Sequence, residues 1–215
     1  VGFREGMQQL TEGLVRSLAG SDIRTGASVH ATELGQSGLR VFGDTKSTEA
    51  DAVILTAPAH QAAEILQTSS QASERLSSIE HASVVLVTMG FKRSDVGNPL
   101  NGSGMLIPRN SGFLTTAVSW GSSKWRHWDD GEHVILRVSA GRAGDTRALA
   151  LDDNELVEAL LTEVAQILKI EGNLVEWRVS RWIDAFPQYA PGHDRLVAAI
   201  ELSLIHISEP TRPVP

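Results

Sequence analysis

RWIDAFPQYAPGH, residues Arg181 to His193, brings Trp182, Phe186, Tyr189 and His193 together around a Pro-Gln-Tyr corner and a Gly-His pair. Their flat apolar faces with polar tips suit a planar organic ligand. A turn at the edge of a core, punctuated by Pro187 and Gly192, explains the same residue types. Residue types alone leave both readings open, and the chain on either side has to decide.

Immediately upstream, Val175, Trp177 and Val179 alternate as a strand that delivers the chain to Arg181. Before that strand, Asp152 with Glu155 has the form of a capping box, Asp replacing the usual Ser or Thr. Leu156, Leu160, Val164, Ile167 and Leu168 then mark one face of a helix ending near Gly172. Four apolar stretches precede it: Ala82 to Phe91, Gly104 to Pro108, Leu114 to Trp120, and Val134, Leu136 and Val138 in alternation. Their succession predicts a half-buried antiparallel sheet on which a ligand can lie.

Nearer the start, Met7, Leu10, Leu14, Val15 and Leu18 predict an amphipathic helix over Gly6 to Ala19, its apolar face packed on a sheet. Ser28 to Leu34 and Leu39 to Phe42 flank a Gly-Gln-Ser-Gly turn and predict a hairpin. Ala52 to Ala57, a continuous apolar run closed by Pro58, predicts a strand buried on both faces. On the far side of His193, Leu196 to Ile200 begin another helix.

Composition narrows the function. A chain of 215 residues can bury a substantial core. A net charge of -7 argues against general nucleic-acid binding. Cysteine is absent, which excludes disulfides and thiolate metal sites. No apolar run approaches the roughly 20 residues of a membrane span, so a cytoplasmic protein, at most peripheral on a membrane, is expected. No HExxH pattern supports a metal site and no GxSxG a hydrolase nucleophile. Nor is there a GxGxxG turn for a pyrophosphate, since Ile107 stands where a third glycine would follow Gly102 and Gly104.

RWIDAFPQYAPGH, SSKW at Ser122 to Trp125, GSGMLIP at Gly102 to Pro108, ADAVILTAP at Ala50 to Pro58 and FREGMQQL at Phe3 to Leu10 together, in their order and spacing along the chain, resemble the porphyrinogen oxidases. These are flavoenzymes of the haem pathway within the amine oxidase superfamily. The resemblance covers about Val1 to Glu201. It implies an α/β fold: part of a doubly wound FAD-binding domain over residues 1–77, an α+β substrate domain with an antiparallel sheet over 78–172, and a return to the FAD domain over 173–202. Ser203 to Pro215 departs from the pattern and reads as a non-native tail, and the whole as an internal fragment of a longer enzyme.

The implied activity is FAD-dependent oxidation of coproporphyrinogen III to coproporphyrin III, with dioxygen as acceptor and hydrogen peroxide as by-product. The runner-up is oxidation of protoporphyrinogen IX, and the two substrates differ in carrying four carboxylates against two. An amine-oxidising relative and a non-enzymatic binding module are the remaining alternatives. By resemblance, Val29, Trp182, Gln188 and Tyr189 are the cofactor-side residues. Leu106 packs on a tetrapyrrole face, and Trp120, Lys124 and His193 complete the substrate side, with Arg109 as a further cation for a carboxylate. No catalytic acid, base or nucleophile stands out.

Overall fold

The computed structural model describes residues 2–35 and 38–208. The chain forms two compact units, one from the segments up to Ser21 and Ala82–Phe186, the other from Asp22–His81 and the segment after Phe186.

The first unit is built on a five-stranded sheet. Its strands are β4 (His81–Lys92), β5 (Gly104–Leu106), β6 (Thr115–Trp120), β7 (His133–Ala140) and β8 (Glu176–Pro187), in the order β5-β6-β7-β4-β8. The pairs β5–β6, β6–β7 and β4–β7 are antiparallel, as expected from four apolar stretches in succession. Alternation then sorts the side chains. Val85, Val87, Met89 and Phe91 of β4 and Val134, Leu136, Val138 and Ala140 of β7 point into one buried layer. That layer is closed by α5 (Asp153–Leu168), whose Leu156, Leu160, Val164 and Leu168 are each 1 % exposed or less.

The α5 helix starts where the sequence says it should. Asp152 Oδ1 accepts from the Asn154 and Glu155 amides at 2.8 and 2.9 Å, and Glu155 Oε2 accepts from the Asp152 amide at 3.0 Å. The capping box is complete. It ends at Lys169, which takes a left-handed conformation, three residues before the glycine expected to mark the end.

The largest departure from expectation lies in RWIDAFP. The strand predicted to stop at Arg181 continues to Pro187, so this half of the stretch is β-structure. A break in its alternation sits at Asp184, with φ of +46°. Ser83 Oγ holds it there, donating to Asp184 Oδ1 at 3.0 Å and accepting from the Asp184 amide at 2.8 Å. Arg181 donates to Asp153 Oδ1 at 2.6 Å and to the Leu151 carbonyl at 2.9 Å, tying β8 to the start of α5.

Two loops at one end of this sheet are joined by Arg147, which donates to Asp145 and to the carbonyls of Gly112 and Phe113. The guanidinium bonded to Asp145 holds that carboxyl at about 2, below its ordinary 3.8. A depressed folded value stabilises the unit above about pH 4, and the contribution is lost as pH falls through about 2. We expect the Asp145 carboxyl signal to titrate near 2 in the native chain and to return toward 3.8 in Arg147→Met. Equal titration in both would remove the pair from the stability of this end.

The first unit also carries α1 (Gln8–Ser17), close to the predicted span. Its apolar face is not packed on a sheet: Met7 is 61 % and Leu14 56 % exposed. Periodicity fixes which face is apolar, but not what covers it.

The second unit holds a three-stranded antiparallel sheet of β1 (Val29–Leu34), β2 (Leu39–Gly43) and β3 (Ser47–Ala50), with α2 (Ala59–Ile65), α3 (Ser70–Ser77) and α6 (His193–Ser208). The expected hairpin is β1–β2, while β3 adds a strand that the polar sequence STEA did not announce. Thr68 Oγ1 donates to the Thr32 carbonyl at 2.9 Å, and Ser73 Oγ to that of Ala63 at 2.8 Å, pinning the helical segment. The run Ala52–Ala57 is no strand here, and Ile54 is 90 % exposed. Apolar character prepares a segment for burial between neighbours, and no described strand pairs with it. The α6 helix runs through Ser203, where the sequence leaves the resembled pattern, to Ser208; residues 209–215 of the expected tail lie outside the described residues.

Candidate active site

One face of the five-stranded sheet is closed by α5; the other holds a cavity of about 620 Å³. The period of the strands decides which side chains reach it. The residues between the buried ones supply its floor: Val84 and Leu86 of β4, Ala117 and Ser119 of β6, Arg137 and Ser139 of β7, and Leu106 of β5. Trp182 and Phe186 of β8 also line it, four residues apart and so on one side of the strand. A cavity of this size with mostly apolar walls suits a flat, largely apolar molecule.

The cross-strand register orders this floor into rows. Leu106 stands opposite Ala117, Ala117 opposite Ser139, and Ser139 opposite Leu86. The neighbouring row is Gly104, Ser119, Arg137 and Thr88. Only glycine fits the first place, because a Cβ there would lie 2.4 Å from the Val118 carbonyl oxygen. The result is an apolar row beside a polar one, about 7 Å apart at the rise of an extended strand.

The structure thus joins two of the expected residues, Leu106 and Trp182, in one cavity. Leu106 is 84 % exposed and Trp182 53 %, both large apolar groups left uncovered on a sheet face. Trp120, expected on the substrate side, follows Ser119 and points to the other face, where it is 7 % exposed within the core. Lys124 lies on the short helix α4 (Gly121–Lys124) and does not line the cavity; its Nζ sits 5.6 Å from the Trp125 ring centroid. Arg109 lines a separate cavity of about 410 Å³ with Arg142 and Arg147.

The remaining expected residues lie in the second unit. Tyr189 and His193 stack with ring centroids 4.3 Å apart and planes 21° from parallel. The Gln188 amide donates to the Glu80 carbonyl at 2.8 Å. Val29 lines a cavity of about 370 Å³ with Gly26, Ala27, Ser28 and Gly43. Arg24, Asp44 and Lys46 line it as well, and there is no glycine-rich turn in the sequence for a pyrophosphate.

Phe186 was grouped with Trp182 in the sequence reading as a face for a planar ligand, whereas Arg137 was not singled out. The signal for Arg137 was present. Val134, Leu136 and Val138 alternate toward the core, and the same period puts Arg137 on the open face. Among the described residues no group of three or more histidines, cysteines and carboxylates could hold a metal ion. No described helix is long and apolar enough to cross a membrane.

Comparison with known proteins places this geometry in a family. The chain is 31% identical over 202 residues to coproporphyrinogen III oxidase of Bacillus subtilis strain 168, covering 93% of this chain and 42% of that protein. It is 33% identical over 180 residues to the coproporphyrinogen III oxidase of Mycobacterium leprae strain TN, covering 83% of this chain and 39% of that one. A solved structure from Exiguobacterium sp. 255-15, described as that of a protoporphyrinogen oxidase candidate, superposes with a TM-score of 0.85 at 25% identity, over 95% of this chain and 45% of the other. The chain therefore spans less than half the length of these relatives. Residues 1–202 match the family model of the flavin containing amine oxidoreductases, and the chain belongs to that family.

Proposed function

We propose that the protein containing this chain oxidises coproporphyrinogen III to coproporphyrin III in haem biosynthesis, in the cytoplasm, with FAD as cofactor and dioxygen as acceptor, releasing hydrogen peroxide. The observation that carries the reading is the open sheet face, an apolar floor with Leu106, Trp182 and Phe186 at its sides and no acid or thiol among the lining residues. Removing hydride from a bridging carbon of a reduced tetrapyrrole needs orientation and a dry wall more than a protein nucleophile.

Bound flavin would supply the hydride acceptor and pass the electrons to dioxygen. This chain's own residues do the holding. Leu106 and Leu86 give the ring an aliphatic floor, and Trp182 and Phe186 give it flat edges. We place Val29 and the cavity it lines at the adenine end of the cofactor. Gln188, Tyr189 and His193 belong by the same reading to the turn near the flavin and substrate, with Tyr189 and His193 already stacked as one flat surface.

The named relatives favour the tetracarboxylate substrate, and the Exiguobacterium structure keeps protoporphyrinogen IX as the second reading. Both are tested on the full-length protein by absorbance for bound flavin, followed by oxygen-dependent porphyrin fluorescence from the two porphyrinogens in parallel. Flavin absorbance and faster oxidation of coproporphyrinogen III are expected. Preference for protoporphyrinogen IX promotes the second reading, and a flavoprotein inert on both but active on amines overturns both.

A further inference from the structure

Arg137 is an anomaly on its own surface. It stands in the middle of β7, a strand whose next side chains on that face are Ile135 and Ser139, and it lines the cavity otherwise walled by apolar and hydroxyl-bearing residues. No carboxylate lines that cavity. Elsewhere in the first unit three arginines have acidic partners: Arg93 pairs with Asp129, Arg147 with Asp145 and Arg181 with Asp153. Arg137 has no such ion pair or side-chain hydrogen bond among the described residues. An unneutralised guanidinium in an apolar cavity gives that cavity a net positive charge, which selects for an anionic ligand.

Its neighbours define what kind of anion. Ser119 stands opposite Arg137 on β6, and Gly104 stands opposite Ser119 on β5. Gly104 contributes no side chain to this row, while Ser119 adds a hydroxyl beside the guanidinium. The adjacent row, Leu106, Ala117, Ser139 and Leu86, is the floor for a flat ring. A ring resting on one row, with an acid on a short flexible arm, brings that acid over the next row about 7 Å away. Guanidinium geometry matches a carboxylate through two parallel N–H···O bonds.

We propose that Arg137 is a specificity-determining residue that binds a carboxylate arm of the ring substrate, with Ser119 as its hydroxyl neighbour. The inference rests on the porphyrinogen reading for the identity of the ring. It assigns to this sheet the anchoring cation that the sequence placed at Lys124 or Arg109. Neither of those residues lines the cavity.

The test titrates the full-length protein with coproporphyrin III, the oxidised ring with its four acids, and separately with its tetramethyl ester, reading porphyrin absorbance and fluorescence. Arg137→Gln is expected to weaken binding of the acid by about tenfold or more while leaving the ester within about twofold. Arg137→Lys, which keeps the charge but loses the planar fork, should fall between. The exposed position of Arg137 leaves the fold intact in both variants, checked by unchanged thermal unfolding. Wild-type binding of the acid matched by Arg137→Gln would overturn the assignment while leaving the porphyrinogen reading in place. Equal losses for acid and ester would make Arg137 a wall residue and would also overturn it. A wild-type protein that neither binds coproporphyrin III nor oxidises the porphyrinogen would remove the reading itself and this inference with it.

Discussion

Replacing Phe91 by alanine lowers the unfolding free energy of the five-stranded unit by about 3–5 kcal/mol. Phe91 is fully buried on β4, opposite Val134 of β7, within the layer between the sheet and α5. Truncation removes apolar surface from that layer and leaves a void that rigid neighbours on two strands and a helix cannot fill by small shifts. The measurement is selective. All the tryptophans, Trp120, Trp125, Trp128, Trp177 and Trp182, belong to this unit, so fluorescence during urea unfolding follows it alone. The midpoint should fall with the slope unchanged. A loss below about 1 kcal/mol would show that the layer collapses around the gap and that Phe91 is not central to the core.

The elements legible in the sequence were those whose signal is local. The twelve residues of β4 and the sixteen of α5 carry long, clean periods, and the Asp152–Glu155 box is a contact between residues three apart. Elements whose state depends on a distant partner were less legible. The apolar stripe of α1 was correctly seen, yet Met7, Leu10 and Leu14 stay exposed. The run Ala52–Ala57 has the character of a buried strand without the pairing that makes one. RWIDAFP was ambiguous because its alternation breaks at Asp184. That break is a backbone conformation held by Ser83, about a hundred residues away in sequence and next to it in the sheet.

The site was legible in the same proportion. Leu106 and Trp182 came from resemblance and meet in one cavity, whereas residue type alone does not separate an exposed leucine from a core one. Trp120 came from resemblance too, while the alternation through Val118 and Trp120 marks both as core. Arg137 was passed over for the converse reason. A charged residue in a half-buried strand reads as solvent-facing, and only the register shows that the face it occupies is a cavity floor.

That floor depends on one carboxylate from the opposite layer, and changing Glu163 to glutamine should cost about 1–3 kcal/mol. Glu163 reaches from α5 to the start of β6. Its Oε1 accepts from the Leu114 amide at 2.8 Å, and its Oε2 accepts from the Thr115 amide at 2.9 Å and the Thr115 hydroxyl at 2.7 Å. Thr115 is fully buried, so water cannot replace a lost acceptor. Glutamine offers one oxygen and one NH2 group. The Thr115 hydroxyl can turn to accept from that NH2, but one backbone N–H is left facing a donor in either orientation of the amide. The register already shifts between Thr115 and Ala117, and Ala117 is the first β6 residue on the cavity floor. A weakened anchor at Thr115 should therefore reach the site as well as the fold. The expected signature is faster amide hydrogen exchange at Leu114 and Thr115, together with weaker porphyrin binding that affects acid and ester alike. This equal loss separates a supporting role from the charge-selective loss expected at Arg137. Unchanged exchange at both amides would show that β6 is held by its strand neighbours alone, and Glu163 would then be only one more polar residue on a half-buried helix face.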